Sequence, residues 1–213
     1  MNLRSSFQCM ALVALCMGLG VMSAEATEEA EYDQVLADGP FEIREYAPQI
    51  VAEVRMAGSF KSVGNDAFWP LFKYIDGANQ AESSIAMTAP VTQSEGQKIA
   101  MTAPVSQQLD NDEWVVSFMM PAKYTMETIP KPTDERVSLR AIPPRRMAVM
   151  RYSGSWSEKK YQKHLEQLTE WVRAQDLQVA GAPEWARYNA PFSLWFVRRN
   201  EVMLPLEEPS EDS

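Results

Sequence analysis

Apolar and polar residues alternate along Phe41-Glu-Ile-Arg-Glu-Tyr46, the two-residue period of a half-buried strand. Ala47-Pro48-Gln49 reads as a turn, and Ile50-Val-Ala-Glu-Val-Arg-Met56, rich in β-branched residues, as a second strand ended by Gly58-Ser59. The period then changes. Between Ser62 and Asp76 the side chains of Phe68, Leu71, Phe72 and Ile75 share one face of a helix, while Trp69, Lys73 and Tyr74 point elsewhere. Asn65 or Asp66 is the expected N-cap, Pro70 should lie in the first turn or at a kink, and Gly77 should stop the helix. Trp114-Val-Val-Ser-Phe-Met-Met120 is almost continuously apolar and reads as a central strand buried on both faces. A proline-rich connection runs from Pro121 to Glu135. A second helix is expected from about Ser157 to Ala174, striped by Tyr161, Leu165, Leu168 and Val172. A closing strand pair is expected over Tyr188 to Pro205.

Two repetitions organise these elements. Ile85-Ala-Met-Thr-Ala-Pro-Val-Thr-Gln93 returns as Ile99-Ala-Met-Thr-Ala-Pro-Val-Ser-Gln107 across a short loop centred on Gly96, a pattern that predicts an antiparallel hairpin. Met87 and Met101 in it are either gap-fillers or one wall of an apolar pocket. A fainter match lays Val137 to Trp156 on Phe41 to Phe60 without a gap. Arg44 meets Arg140, Pro48 meets Pro144, Ala52 meets Ala148 and Gly58-Ser59 meets Gly154-Ser155. A helix follows in both copies. This predicts an α+β fold: a twisted antiparallel sheet or distorted β-barrel with two flanking helices, built from two pseudo-symmetric repeats at about 41–120 and 137–206. With one apolar stripe each, both helices must pack on the sheet, leaving a groove between or beside them where a small ligand fits.

The rest of the chain changes this picture at its edges. Residues 1–26 carry Arg4, an apolar run from Cys9 to Met22 and the small-residue pattern Ala24-Glu25-Ala26, and they read as a signal peptide cut after Ala26 or after Ala24. Action in the periplasm or outside the cell is therefore expected, without a stable membrane anchor. Both cysteines, Cys9 and Cys16, fall in that segment, so the mature chain should hold no disulfide, no thiolate nucleophile and no covalent haem. Residues 27–40 read as an exposed lead-in and 207–213 as a disordered acidic tail. The formal net charge of −9 argues against nucleic acid as a partner.

Four stretches together resemble the SOUL haem-binding family, in its exported bacterial form. They are Glu42-Ile-Arg-Glu-Tyr46, the Met-Thr-Ala-Pro-Val copies, Arg145-Arg-Met-Ala-Val149 and Arg198-Arg-Asn-Glu-Val202. The resemblance spans roughly Phe41 to Pro205. It implies the same α+β fold and non-covalent binding of haem or another tetrapyrrole in a hydrophobic cleft beside the first helix. Where family members with a proposed axial histidine carry it, this chain has none, and Met203 stands where an aromatic residue is common.

The candidate ligand residues follow from both lines. Phe68, Leu71, Phe72 and Ile75 are either core or groove wall. Lys73 is either solvated or a partner for a ligand carboxylate. Arg198 and Arg199 alternate across a strand, so one faces the covered side; Arg199 either pairs with Glu201 or holds an anionic ligand. His164, the sole histidine, is a boundary residue of the second helix, an axial metal ligand or a base. No metal-ligand spacing, phosphate loop or nucleophile–base pair is present. The chain therefore reads as a binder of haem or another tetrapyrrole rather than an enzyme. The alternative is a module for another small hydrophobic ligand or a protein partner.

Overall fold

The structure, a computed structural model, describes residues 27–80, 96–190 and 192–208. Nine strands, β1 (Tyr32–Asp38), β2 (Phe41–Tyr46), β3 (Gln49–Met56), β4 (Val105–Asp110), β5 (Glu113–Met119), β6 (Val137–Ile142), β7 (Arg145–Ser153), β8 (Glu184–Arg187) and β9 (Arg199–Pro205), form one sheet. Its order is β6-β3-β5-β4-β8-β9-β7-β2-β1, with every neighbouring pair antiparallel, and it curls into a half-barrel. The α+β class read from the periodicity is the class observed.

Without the edge strand β1, the order is β6-β3-β5-β4 followed by β8-β9-β7-β2. Exchanging β2 with β6, β3 with β7, β4 with β8 and β5 with β9 turns one half into the other. Register follows the exchange. Val137 lies opposite Val54 and Ile142 opposite Gln49, while Phe41 lies opposite Met150 and Tyr46 opposite Arg145. Those are the residues that the gapless sequence match pairs. The exchange axis passes between β4 and β8, where Gln107 faces Trp185.

The first helical region differs from its expected bounds. It is two helices, α1 (Phe60–Asp66) and α2 (Phe68–Ile75). The cap is Ser59, not Asn65 or Asp66: Ser59 Oγ accepts from the Ser62 amide at 3.2 Å, and Ser62 Oγ accepts from the Ser59 amide at 3.2 Å. The apolar stripe thus starts earlier, with Phe60 and Val63 buried. Pro70 has no N–H to bond the preceding turn, so the helix breaks at Ala67 and Pro70 sits in the first turn of α2, as expected. Asp76 caps the end and Gly77 follows with φ +120°, a conformation that favours glycine. Tyr74, assigned off the stripe, is buried at 1% exposure, and its hydroxyl donates to the Pro130 carbonyl at 2.7 Å. The third helix, α3 (Glu158–Ala174), has its expected bounds, with Ser157 Oγ accepting from the Lys160 amide.

The first copy of the Met-Thr-Ala-Pro repeat, and with it Met87, lies outside the described residues, as do the leader and 209–213. In the second copy Thr102–Ala103 pairs in parallel with Glu28–Glu29, and Val105–Gln107 opens β4. The hairpin partner of β4 is β5, joined through Asn111 and Asp112 at positive φ. Part of the lead-in forms β1 on the edge of β2, with its side chains mostly exposed.

α2 packs over β6, β3 and β5, and α3 over β9 and β7. Ala52, Val54, Leu71, Ile75, Val116 and Phe118 fill the first contact, and Ile43, Ala148, Leu168, Val172, Val202 and Leu204 the second. The middle strands β4 and β8 lie between the two helical layers.

Candidate functional site

On β8 the two-residue period sends Trp185 and Arg187 to the helix side and Glu184 and Ala186 to the inner side. The gap between the helices therefore has Trp185, Arg187 and Gln107 on its floor. Phe60 of α1 seals the bottom. Its ring stacks on Trp185 at 4.6 Å and on Tyr161 of α3 at 5.5 Å. Above this seal is a groove in two adjoining parts. The larger, about 440 Å³, is lined by Phe68, Trp69, Val105, Asn189 and Phe192, with Gly64, Asn65, Trp156 and Arg187. The other, about 400 Å³, shares Asn65, Trp156 and Arg187 and adds Trp185, Ser157 and the rim charges Lys61 and Glu158. Each is within the usual size of a ligand site, about 300–1,000 Å³.

Arg187 is the singular group here. Its guanidinium lies 4.9 Å from the Trp185 ring and 5.2 Å from the Trp156 ring. Nη2 donates to Gln107 Oε1 at a long 3.4 Å, and the Gln107 amide is held by donating to the Phe60 carbonyl at 2.9 Å. No carboxylate pairs with Arg187 among the described residues, and its buried Nε has no acceptor; neither has the buried Nε1 of Trp156. Burial pulls the Arg187 guanidinium down to about 10, so it stays charged at neutral pH. Gly64 on α1 is what lets it fit: a Cβ there would sit 2.9 Å from Nη2 and 3.2 Å from Gln107 Oε1. Cations stabilised by aromatic faces but left without a counter-charge favour an arriving anion.

The inner face is built the other way. Arg44 and Glu201 are fully buried, and Arg44 donates to the carboxylate through Nη1 and Nη2, at 2.9 and 3.1 Å. Glu201 also accepts from Tyr188 at 2.7 Å and Arg199 at 3.0 Å, and Arg44 donates to Glu42 at 2.6 Å. Burial alone would raise the Glu201 carboxyl, but the bonds from Arg44 and the charge of Arg199 outweigh it and hold it below the usual range. Arg140 donates to Glu53 at 2.9 Å, and Arg145 pairs with Glu184. Ala30, from the segment crossing the open side, lines what is left of the cavity, about 30 Å³. A further depression of about 470 Å³ lies at the end of the half-barrel, with Glu28, Glu29 and Glu31 over Met119, Met120, Tyr124 and Met126. Glu28 there accepts from the Ala122 amide and Glu29 from Arg199.

The sequence-predicted residues are not all brought together. Phe68 lines the groove, and Phe72 stacks on it at 5.8 Å. Leu71 and Ile75 are in the core, at 0% and 4% exposure. Lys73 is exposed and Met101 is exposed, neither lining the groove. Arg199 is tied to Glu201 and Glu29 on the inner face. His164 stacks beside Tyr152 at 4.0 Å with Nδ1 3.0 Å from Gln167 Oε1, also off the groove. Trp69, placed off the apolar stripe, is a groove residue. Trp156, Arg187 and Phe192 were missed. The alternation of Trp185 and Arg187, a charge on the covered face of a strand, is the signal that would have found the second of these.

Among the described residues no cluster of three His, Cys, Asp or Glu side chains could hold a metal ion, and the groove-lining residues include no His, Cys, Met or Tyr.

A family model described as SOUL heme-binding protein matches residues 27–205. No curated protein sequence matches the chain. Among solved structures, the EcmrR C-terminal domain is similar at 12% identity and a TM-score of 0.56, over 84% of this chain and 99% of that one. A hydrolase from Listeria innocua is similar at 12% identity and a TM-score of 0.54, over 81% and 94%. EcmrR in a DNA complex is similar at 13% identity and a TM-score of 0.55, over 79% of this chain and 57% of that one. At such identities these share the fold alone.

Proposed function

The chain belongs to the SOUL heme-binding protein family, and from that premise we propose that it binds haem or another tetrapyrrole non-covalently in the groove between α1–α2 and the turn at 192–197. The observation that carries this reading is Arg187, a cation with aromatic neighbours and no acid beside it among the described residues. A flat macrocycle would lie against Phe68, Trp69, Trp156 and Phe192, burying apolar surface at about 25 cal/mol per Å². Its carboxylate would meet Arg187. Bound haem would bring iron, but among the described residues no groove-lining side chain is of an axial-ligand type, so in this reading retention rests on ring faces and carboxylates. In this reading the protein carries or buffers its ligand and performs no reaction on it. It does so in the periplasm or outside the cell, as the expected leader implies. The same arrangement supports a second reading, another flat hydrophobic carboxylate, because nothing in the groove demands a metal.

Titration with haemin and with iron-free protoporphyrin, followed by quenching of tryptophan emission, tests the proposal. Both should bind with similar affinity at micromolar concentration. Arg187→Met should weaken both by about 10–100-fold, the value of one charge-assisted hydrogen bond. Absence of quenching by either porphyrin removes the tetrapyrrole reading. Binding of haemin alone removes the claim that iron is a bystander.

A further inference from the structure

One wall of the groove continues into a turn whose large apolar side chains are mostly exposed among the described residues. Phe192 is 90% exposed, and Leu194, Trp195, Phe196 and Val197 are between 56% and 61% exposed. Trp69, 61% exposed on α2, faces the same groove as Phe192. The turn is held by its own backbone rather than by burial. The Ser193 amide donates to the Ala190 carbonyl at 3.0 Å, and the Val197 amide to the Leu194 carbonyl at 3.1 Å. Large apolar side chains gathered at one exposed site mark an interaction surface.

Charge indicates what that surface meets. The chain carries a formal net charge of −9, yet the turn and its base, residues 192–198, hold Arg198 and no aspartate or glutamate. Arg198, one residue past the tip, donates to the Ser193 carbonyl at 2.9 Å and lies 4.4 Å from the Trp156 ring, which fixes a guanidinium at the base of the turn. An aromatic tip with one arginine at its base matches the layering of a lipid surface, where tryptophan and phenylalanine enter the acyl boundary and arginine meets phosphate. No helix of the described residues is long and apolar enough to cross a membrane. A second copy fits less well: two acidic chains repel, and one turn offers far less than the roughly 1,200 Å² of a stable interface.

We propose that the Phe192–Val197 turn docks the protein on a lipid bilayer, with Trp195 and Phe196 among the acyl chains, Arg198 at the phosphates and the groove mouth against the membrane. The proposal stands whatever ligand the groove takes.

The test uses protein recovered from exporting cells, with its N-terminus fixed by mass spectrometry, and phosphatidylcholine vesicles without haem. The wild type should sediment with vesicles. The Trp195→Ser/Phe196→Ser variant should partition at least about tenfold less, since it withdraws two large apolar side chains, while its Tm and far-ultraviolet dichroism stay unchanged. Brominated lipid should quench wild-type tryptophan emission on binding. Equal partitioning of both proteins, or a wild type that stays in the supernatant, overturns the proposal. So does a wild-type dimer in lipid-free buffer that the variant loses while neither binds vesicles; the turn then serves a second copy. A haemin titration of the same variant separates the two readings, because vesicle binding and porphyrin binding can then fail independently.

Discussion

The two faces of the sheet treat arginine in opposite ways. On the inner face Arg44, Arg140, Arg145 and Arg199 each meet a glutamate, and the 30 Å³ that remain would hold about one water. On the helix side Arg187 has indole rings, a long bond to Gln107 and an open groove. Paired charges with no room beside them act as architecture. An unpaired charge beside room for a ligand costs the empty protein stability that a bound anion restores. Curling closes one face on itself, and two helical layers that stop short of each other hold the other face open.

The largest test breaks the paired side. Glu201→Gln leaves Arg44 buried with only Glu42 and strips Arg199 of its inner partner. A loss of about 3–5 kcal/mol is expected in urea unfolding. The wild type should show the same dependence in its pH profile. The Glu201 carboxyl is depressed in the folded state, so its contribution is fully present above the ordinary carboxylate value of 4.5 and is lost as pH falls through the folded value. A Glu201→Gln protein with wild-type stability and an unchanged acid limb would show that the inner network is not structural. Arg187→Met, which weakens porphyrin binding 10–100-fold, should by contrast leave the empty protein as stable as before or more so. A stability loss above about 2 kcal/mol would class Arg187 with the inner arginines.

Gly64 sharpens the comparison by moving Arg187 without removing it. Gly64→Ala should add about 0.5–1 kcal/mol of helix propensity to α1. The new Cβ displaces the end of a flexible side chain, which costs little, but it pushes the guanidinium away from the helix. Stability within about 1 kcal/mol of wild type, with porphyrin affinity reduced about threefold to tenfold, is the expected pair of results. Unchanged affinity would mean that the guanidinium position is immaterial.

How much of this the chain discloses depends on the range of the interaction. β2, β3, β5, α3 and the pairing of Val137–Trp156 with Phe41–Phe60 follow local periodicity, and the structure places the matched residues at matched positions of the sheet. The closing pair expected over Tyr188 to Pro205 is instead β9 alone, paired with β8 before it. The start of α1 was misjudged because a Ser–Ser capping box competes poorly, on sequence grounds, with the Asn65-Asp66 signal. Trp69 was set aside because a single stripe assumes a helix with one covered side, whereas α2 has the core on one side and the groove on another. The alternation with Trp185 marks Arg187 as a charge on a covered face, but its lack of an acid is not legible in the chain. Whether it has an acid depends on which strand lies beside β8, and that strand brings Gln107.

His164 gives the smallest effect and guards the site assignment. It stands on α3 against Tyr152, away from the groove, and burial holds its pKa below the ordinary 6.5, with Lys163 and Lys160 adding to the shift. Between the folded value and 6.5 the unfolded chain binds more protons than the folded one, so stability rises with pH across that window and is fully gained above 6.5. His164→Gln should flatten that slope by only a few tenths of a kcal/mol, because the ring is part-exposed and solvent screens it. The same variant bound to haemin should keep the wild-type absorbance, since no groove-lining residue is replaced. A shifted Soret band would make His164 an iron ligand and would move the ligand from the arginine groove to the side of α3 beside Tyr152.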